Sequence, residues 1–383
     1  MSRSITALTR RQAFTAFLAA TAAYGDEPVS IPGKKPLLLH NDRPEDLETP
    51  SEHFGTWLTP TDAFFVRQHI PRPKVDAESY RLTVNGRVAK SLNLTLADLR
   101  KLPQVEVPAT LECAGNGRGF FRPRVPGLQW MRGAIGNAAW RGPRLSEVLK
   151  LAGVDANAPF VEFDGADQGI GNTPDFVRSL PMKKMVHPAT IVALQMNGET
   201  LPDIHGFPCR LIVPGWDGAS WVKWLQRITV ADKQNTGFFM NPAYRFPKYN
   251  VAPGAPAKPE ELEMIEGMAV KSSIMNPRDQ AKAGAGPIEI SGIAWAGEEK
   301  IESVDVSTDG GSHWKAAELS RQNLPFAWRL WKFSWKPPKP GYYTVVSRAT
   351  DSAGRVQPFE AVWNPSGYAW NAMDRIGIVV EHV

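Results

Sequence analysis

Tyr249-Asn250-Val251-Ala252-Pro253-Gly254-Ala255-Pro256-Ala257-Lys258-Pro259 divides the chain. Its prolines lock φ and remove backbone donors, so it reads as a connector between two folded units. On its N-terminal side, from about Leu37 to Val230, short β-rich runs such as Tyr80–Val84 and Leu211–Val213 alternate with loops. A few helical segments interrupt them, among them Leu145–Ala152. That is an α+β pattern and not the regular alternation of a doubly wound sheet. On the C-terminal side come Ile288–Ala294, Ile301–Ser307, Trp328–Trp335 and Gly341–Ala349, joined by turn signals such as Asp309-Gly310-Gly311 and Pro337-Pro338-Lys339-Pro340. Strand runs at such short spacing predict a β-sandwich of immunoglobulin type. The expected organisation is a leader over residues 1–22, a mixed α/β domain over 37–248 and the sandwich over 260–383. No internal repeat and no long charge run is present.

With 383 residues, 43% hydrophobic and 22% charged, the chain has the composition of a soluble protein able to bury a sizeable core. Its formal net charge is +5, but Arg3, Arg10 and Arg11 fall in the first 22 residues, where there is no acid. The small remaining excess removes the main support for a nucleic-acid partner. Those first residues read as an export signal: a basic start, the Arg10-Arg11 pair, an apolar stretch from Ala13 to Ala20, and Ala20-Thr21-Ala22 as a small-residue cleavage site. The apolar run is too short to span a bilayer. Thr9-Arg10-Arg11-Gln12 followed by Phe14 resembles a twin-arginine signal, with the phenylalanine one place late. Export of that kind moves folded proteins, so a cofactor inserted in the cytoplasm and a periplasmic destination are expected.

Two cysteines, Cys113 and Cys209, are too few for a four-thiolate iron–sulfur cluster, and no C-x-x-C-H motif offers covalent haem attachment. In an oxidising compartment the two could form a disulfide. Their surroundings differ, however. Phe207-Pro208-Cys209-Arg210-Leu211-Ile212-Val213 is a buried-strand pattern in which cysteine serves as a small hydrophobe. Glu112-Cys113-Ala114-Gly115-Asn116-Gly117-Arg118 is a polar, glycine-rich loop that sets a thiol within a few residues of an arginine. Such a thiol could be a nucleophile, a metal ligand, or an incidental packing residue.

Two further stretches concentrate cations. In Phe64-Phe65-Val66-Arg67-Gln68-His69-Ile70-Pro71-Arg72-Pro73, Arg67 and His69 are two apart on an extended segment, so one anion could meet both. From His205-Gly206-Phe207-Pro208-Cys209-Arg210 to Pro214-Gly215-Trp216-Asp217-Gly218-Ala219-Ser220-Trp221-Val222-Lys223-Trp224, glycine turns again accompany cations. Arg210 and Lys223 could hold a phosphate, while Trp216, Trp221 and Trp224 read as core packing.

Taken in order along the chain, these stretches resemble the sulfite oxidase family of molybdenum enzymes. Phe64–His69 is similar to its arginine–histidine segment, Glu112–Arg118 to its molybdenum–cysteine loop, and His205–Trp224 to its pterin-phosphate segment. The likeness runs from about Leu39 to the end, because the distal sandwich resembles the family's dimerisation domain. It implies molybdopterin as cofactor, with Cys113 as the one protein ligand to molybdenum, a soft donor that suits that ion. By the same matching, Phe64, Arg67, His69, Asp167, His205, Arg210, Val222 and Lys223 would hold the pterin. Arg67, Arg118 and Tyr244 would face substrate, with His69 beside them in the catalytic set.

One departure stands out. Many relatives carry a further substrate arginine in or just after a Trp-Asn-x-x-Gly element, whereas here Trp363-Asn364-Pro365-Ser366-Gly367 is followed by Tyr368-Ala369-Trp370. A less positive anion pocket is expected. The resemblance implies oxidation of sulfite to sulfate, with electrons passed to an external acceptor, a soluble c-type cytochrome, because this sequence carries no haem-attachment motif and no fused haem domain. It also implies a homodimer without a membrane span. The rival readings are the sulfur dehydrogenase component of thiosulfate-oxidising complexes, a molybdenum-dependent methionine sulfoxide reductase, and a non-catalytic anion-binding protein of the same fold.

Overall fold

In the Leu145–Ala152 helix, Leu145, Val148, Leu149 and Ala152 all turn inward, the i, i+3, i+4, i+7 spacing of one buried stripe. The helix stops at Gly153, whose left-handed φ of 64° lets its N–H reach the carbonyls of Leu149 and Lys150. This element belongs to a computed structural model that describes residues 28–155 and 157–381; the leader expected over residues 1–22 lies outside the described residues.

The first domain is built on two sheets. In one, Gln104–Glu112 and Ile135–Pro143 pair antiparallel along their full length, and Gln195–Met196 and Glu199–Thr200 extend the sheet. The segment joining the long pair, from Cys113 to Ala134, is the excursion that carries the cysteine loop. The other sheet runs Leu92–Leu94, Leu82–Gly86, Leu225–Ala231, Phe160–Gly165, Val177–Pro181, with the Leu82–Gly86 and Leu225–Ala231 strands parallel. Tyr80, expected in a strand, lies just before one. Its hydroxyl bonds the Leu225 carbonyl and sits 2.9 Å from the Cys209 sulfur.

Both cysteines are free, so the disulfide alternative falls away. Cys209 is wholly buried in the first domain's core, and burial pushes its thiol up to about 12. Because the Tyr80 hydroxyl keeps the Leu225 carbonyl, Cys209→Val is expected to cost less than about 1.5 kcal/mol and to leave activity unchanged. Thermal unfolding and sulfite turnover check this.

The connector does not simply space two units apart. Arg245–Pro247 and Leu262–Met264 on either side of it pair antiparallel, so the chain leaves and returns at one place. Beyond it, the sheet Lys271–Asn276, Ile288–Trp295, Arg329–Trp335, Glu318–Leu319 faces the sheet Ala281–Ala283, Asp374–Val380, Gly341–Asp351, Ile301–Ser307, Lys315–Ala316. Ile274, Ile290, Trp331, Val304, Val345 and Ile378 fill the space between them. Along Ile301–Ser307 the apolar residues Ile301, Val304 and Val306 are buried, and a register shift between Ile301 and Ser303 interrupts the alternation of a half-buried strand.

The two domains share a third cluster, in which Phe54 and Ile135 pack on Ile293, Trp295 and Trp328. Arg132 clamps Asp374 across the same interface at 2.7 Å, and Trp57 and Trp328 each donate an indole N–H to the other's carbonyl.

Candidate active site

The cation-rich stretches and the cysteine loop meet at a cleft of about 680 Å³. The first wall is the run Phe65–His69. Val66 and Leu47 exchange backbone hydrogen bonds, which sets this run beside the Glu45–Glu48 strand. Asp46, only 2% exposed, accepts the Gln68 N–H at 2.9 Å and pairs with Arg67 at 3.2 Å. Burial raises the Asp46 carboxyl, against the pull of Arg67. Burial is the largest influence and works against the Arg67 cation, but Asp46, Tyr244, Cys113 and Tyr368 together hold the guanidinium above its ordinary value.

His69 stacks on Phe176 at 4.6 Å and meets the edge of Phe239 at 4.8 Å. Burial, followed by the nearby charges of Arg67, Lys223 and Arg178, keeps its imidazole well below the usual range, so it is neutral. Its Nε2 shares a hydrogen bond with the Tyr244 hydroxyl, whose pKa burial drives up. Arg67, His69 and Tyr244 are thus brought together on the cleft.

Phe64 is not on it. Side chains of an extended segment alternate, and Phe64 is out of phase with Arg67 and His69. Its ring is fully buried, edge-on to Trp140 and to His205, and Phe65 takes the place on the cleft that the sequence matching assigned to Phe64.

Cys113 sits at the end of the Gln104–Glu112 strand and lines the cleft. Its N–H donates to Ala134 at 2.9 Å and its carbonyl accepts the Asn116 N–H at 2.8 Å. Gly117 turns the loop at a φ of 84°, where a β-carbon would strike Trp370. Burial pushes the Cys113 thiol up, while Arg67 and the Gly115 N–H favour the thiolate. Arg118, expected to face substrate, is absent from the wall of this cleft. Its guanidinium lies 5.0 Å above the Tyr368 ring and donates to the carbonyls of Ser366 and Leu128 at 3.2 Å each. Those carbonyls, one supplied by the Trp-Asn-x-x-Gly element itself, draw it away from the main cavity.

Asp167, His205, Arg210 and Lys223 also line the cleft. Arg210 is 5% exposed, and burial with no carboxylate beside it lowers the guanidinium to about 9. Among the described residues its Nε finds no hydrogen-bond partner. Burial lowers the Lys223 ammonium and raises the Asp167 carboxyl, each partly opposed by the other's charge. Val222 does not line the cleft: it is 1% exposed and contributes a carbonyl to Leu211 at 2.8 Å. Trp221 and Trp224, read from sequence as packing, are buried and also form cleft wall.

Two residues went unread. Lys34 is buried, and its ammonium donates to the Thr61 and Phe64 carbonyls at 2.7 and 2.8 Å and lies 2.5 Å from His205 Nε2. Nothing in Gly33-Lys34-Lys35 distinguishes it from a surface lysine. Arg178, with no exposed surface, lies 5.1 Å below the Tyr244 ring, and its Nε and Nη2 make no hydrogen bond. Its only sequence signal is a charge inside an apolar strand.

Arg210, a buried cation whose charge no carboxylate offsets, together with Lys223 makes this cleft a site for an anion. The buried Cys113 thiol makes it a site for a soft metal as well. Among the described residues no cluster of three His, Cys, Asp or Glu side chains could hold a metal unaided. The donors therefore fit a phosphate-bearing organic group that brings metal ligands of its own.

Residues 69–239 match the oxidoreductase molybdopterin binding domain, and residues 262–381 match the Mo-co oxidoreductase dimerisation domain. The mitochondrial sulfite oxidase of Homo sapiens is 35% identical over 379 residues, which is 94% of this chain and 68% of that protein. The sulfite oxidase of Arabidopsis thaliana is 33% identical, covering 94% of this chain and 97% of its own length. Among solved structures, the sulfane dehydrogenase SoxCD from Paracoccus pantotrophus superposes with a TM-score of 0.77 at 31% identity, covering 94% of this chain and 88% of that one.

Proposed function

The chain belongs to the sulfite oxidase family of molybdopterin enzymes, and on that footing we propose that it is a periplasmic sulfite dehydrogenase delivering electrons to a soluble c-type cytochrome. It is a molybdenum-dependent, sulfur-oxidising oxidoreductase, and its cofactor is molybdenum held by molybdopterin. The observation that carries the finer reading is the meeting, on one cleft, of the Cys113 thiol, the Arg67 guanidinium and the neutral His69–Tyr244 pair.

Cys113 would hold the metal, and His205, Arg210 and Lys223 would hold the pterin's phosphate. The bound group supplies the two-electron oxidation, in which sulfite and water give sulfate, two protons and two electrons. The residues do the rest. Arg67, oriented by Asp46, offers a fixed guanidinium to a dianion that must leave water. Phe176 and Phe239 pack His69 into place. His69, neutral, accepts or donates the proton it shares with Tyr244, so the phenol is held at a stated place without adding charge.

The external acceptor is supported by this chain's content: two cysteines are too few for a four-thiolate iron–sulfur cluster, and no C-x-x-C-H motif offers covalent haem attachment. The leader-like residues 1–22 support the periplasmic destination. No helix among the described residues is long and apolar enough to cross a membrane.

A second reading, sulfur dehydrogenase, is favoured by the likeness of this chain to the sulfane dehydrogenase SoxCD. Steady oxidation of free sulfite separates the two. Purified, molybdenum-loaded protein is expected to reduce an artificial acceptor or a c-type cytochrome with sulfite alone; turnover that requires a sulfur-carrying partner protein would move the assignment to the second reading. The distal sandwich is expected to make a homodimer with a twofold interface, and sedimentation showing a concentration-independent monomer would count against it.

A further inference from the structure

Glu112 immediately precedes the cysteine and is 5% exposed. Its Oε1 accepts from the Lys271 ammonium at 2.5 Å and from Asn116 Nδ2 at 3.0 Å, and its Oε2 accepts the Trp295 indole N–H at 2.9 Å. Lys271 and Trp295 belong to the distal sandwich, where they stand directly opposite each other on paired strands. Each is 5% exposed or less.

A buried ion pair between domains is a poor way to gain stability, because desolvation of both charges offsets most of their attraction. Packed apolar residues would serve an interface at least as well. What the pair does supply is direction, since every oxygen of Glu112 is committed and none can rotate without stranding a donor. That direction is passed on. Asn116, held by Glu112, donates its N–H to the Cys113 carbonyl and accepts the Ala134 N–H at 3.1 Å, while Ala134 accepts the Cys113 N–H. Both backbone groups of the cysteine are therefore fixed by a network that ends in the other domain. An independent contact points the same way: the Ala369 N–H of the sandwich donates to Ala114 at 2.9 Å.

We infer that the distal sandwich, beyond any part in dimerisation, braces the cysteine loop, with Lys271 and Trp295 as positioning residues that act on Cys113 through Glu112 and Asn116. This rests on the reading of Cys113 as the metal ligand, and the test keeps the two apart.

The test compares molybdenum-loaded full-length protein with Lys271→Met, Trp295→Phe and, as a control for mere sandwich stability, Val345→Ala in the buried sandwich core. The readouts are the electron paramagnetic resonance spectrum of the half-reduced metal, which responds to the metal–thiolate geometry, and the separate values of kcat and KM for sulfite. Outer-shell partners of metal ligands typically change activity about 10- to 100-fold. Lys271→Met is expected to shift the spectrum and lower kcat within that range, with KM held within about twofold, while Val345→Ala leaves the spectrum unaltered. An unchanged spectrum in loaded Lys271→Met protein, or the same shift from Val345→Ala, overturns the brace. If Lys271→Met does not fold, Trp295→Phe, which keeps the packing and deletes one donor, decides: a smaller shift supports the brace and no shift overturns it. A spectral shift in protein that never oxidises sulfite would uphold the brace and sink the proposed function instead.

Discussion

Cys113→Ser protein, purified with its pterin, is expected to oxidise sulfite more than about 100-fold more slowly than the unsubstituted chain. Loss of a group that merely hydrogen-bonds a metal ligand already costs about 10- to 100-fold, and here the ligand itself is exchanged for a hard alcohol that binds a soft ion poorly. The fold should survive. Serine is close to cysteine in volume, and the loop is held through backbone bonds to Ala134 and Asn116 that do not involve the sulfur. The pterin should be retained in part, because Arg210, His205 and Lys223 also line the cleft and do not depend on the Cys113 sulfur. Metal and pterin content measured beside turnover give the check. Cys209→Val is the comparison, and equal loss of activity from both substitutions would refute the ligand assignment.

Arg67→Gln should lower kcat/KM for sulfite about 10- to 150-fold, the equivalent of about 1.5–3 kcal/mol for a hydrogen bond to a charged group. Two effects contribute, and the structure separates them. One is the lost cation. The other is Asp46, which is 2% exposed and keeps only the Gln68 N–H once its ion partner has gone. An unpaired buried carboxylate would reorganise the wall or take up a proton. Arg67→Gln combined with Asp46→Asn removes the stranded charge, so activity it recovers reports reorganisation and the remaining loss reports substrate binding. If the missing part lies mostly in KM, Arg67 serves to bind sulfite; a loss in kcat as well means it also stabilises charge during oxidation. Arg72→Gln, on an arginine whose partner Glu45 is 3.3 Å away at the surface, should change little. Full kcat/KM in molybdenum-loaded Arg67→Gln would overturn the role.

Much of the fold was legible because it follows from local pattern. The Leu145–Ala152 helix lies where apolar periodicity sets it, and the Ile301–Ser307 strand lies on its predicted run. The ends of other strands shifted by a residue or two, as with Arg210–Ile212, because pairing partners and not propensity decide where a strand stops. Of the site, Arg67, His69, Cys113, Asp167, His205, Arg210, Lys223 and Tyr244 were named from motifs and do converge on the cleft. Phe64, Val222 and Arg118 were named by the same motifs and do not line it, since a motif records neighbours in sequence and is silent about which way each side chain turns.

By itself, then, the sequence pointed to a proline-rich connector at Tyr249–Pro259 and a sandwich beyond it, and through its likeness to a known family to a thiol, guanidinia and histidines gathered for a cofactor. The first two rest on composition and spacing, which are local. Only the tertiary structure decided that Arg118 turns to Ser366, that Lys34 reaches His205 and that Lys271 with Trp295 grips Glu112. Each of these joins residues more than a hundred positions apart, and all three involve a charge that burial forces to find a partner wherever the fold supplies one; no local pattern can encode that choice.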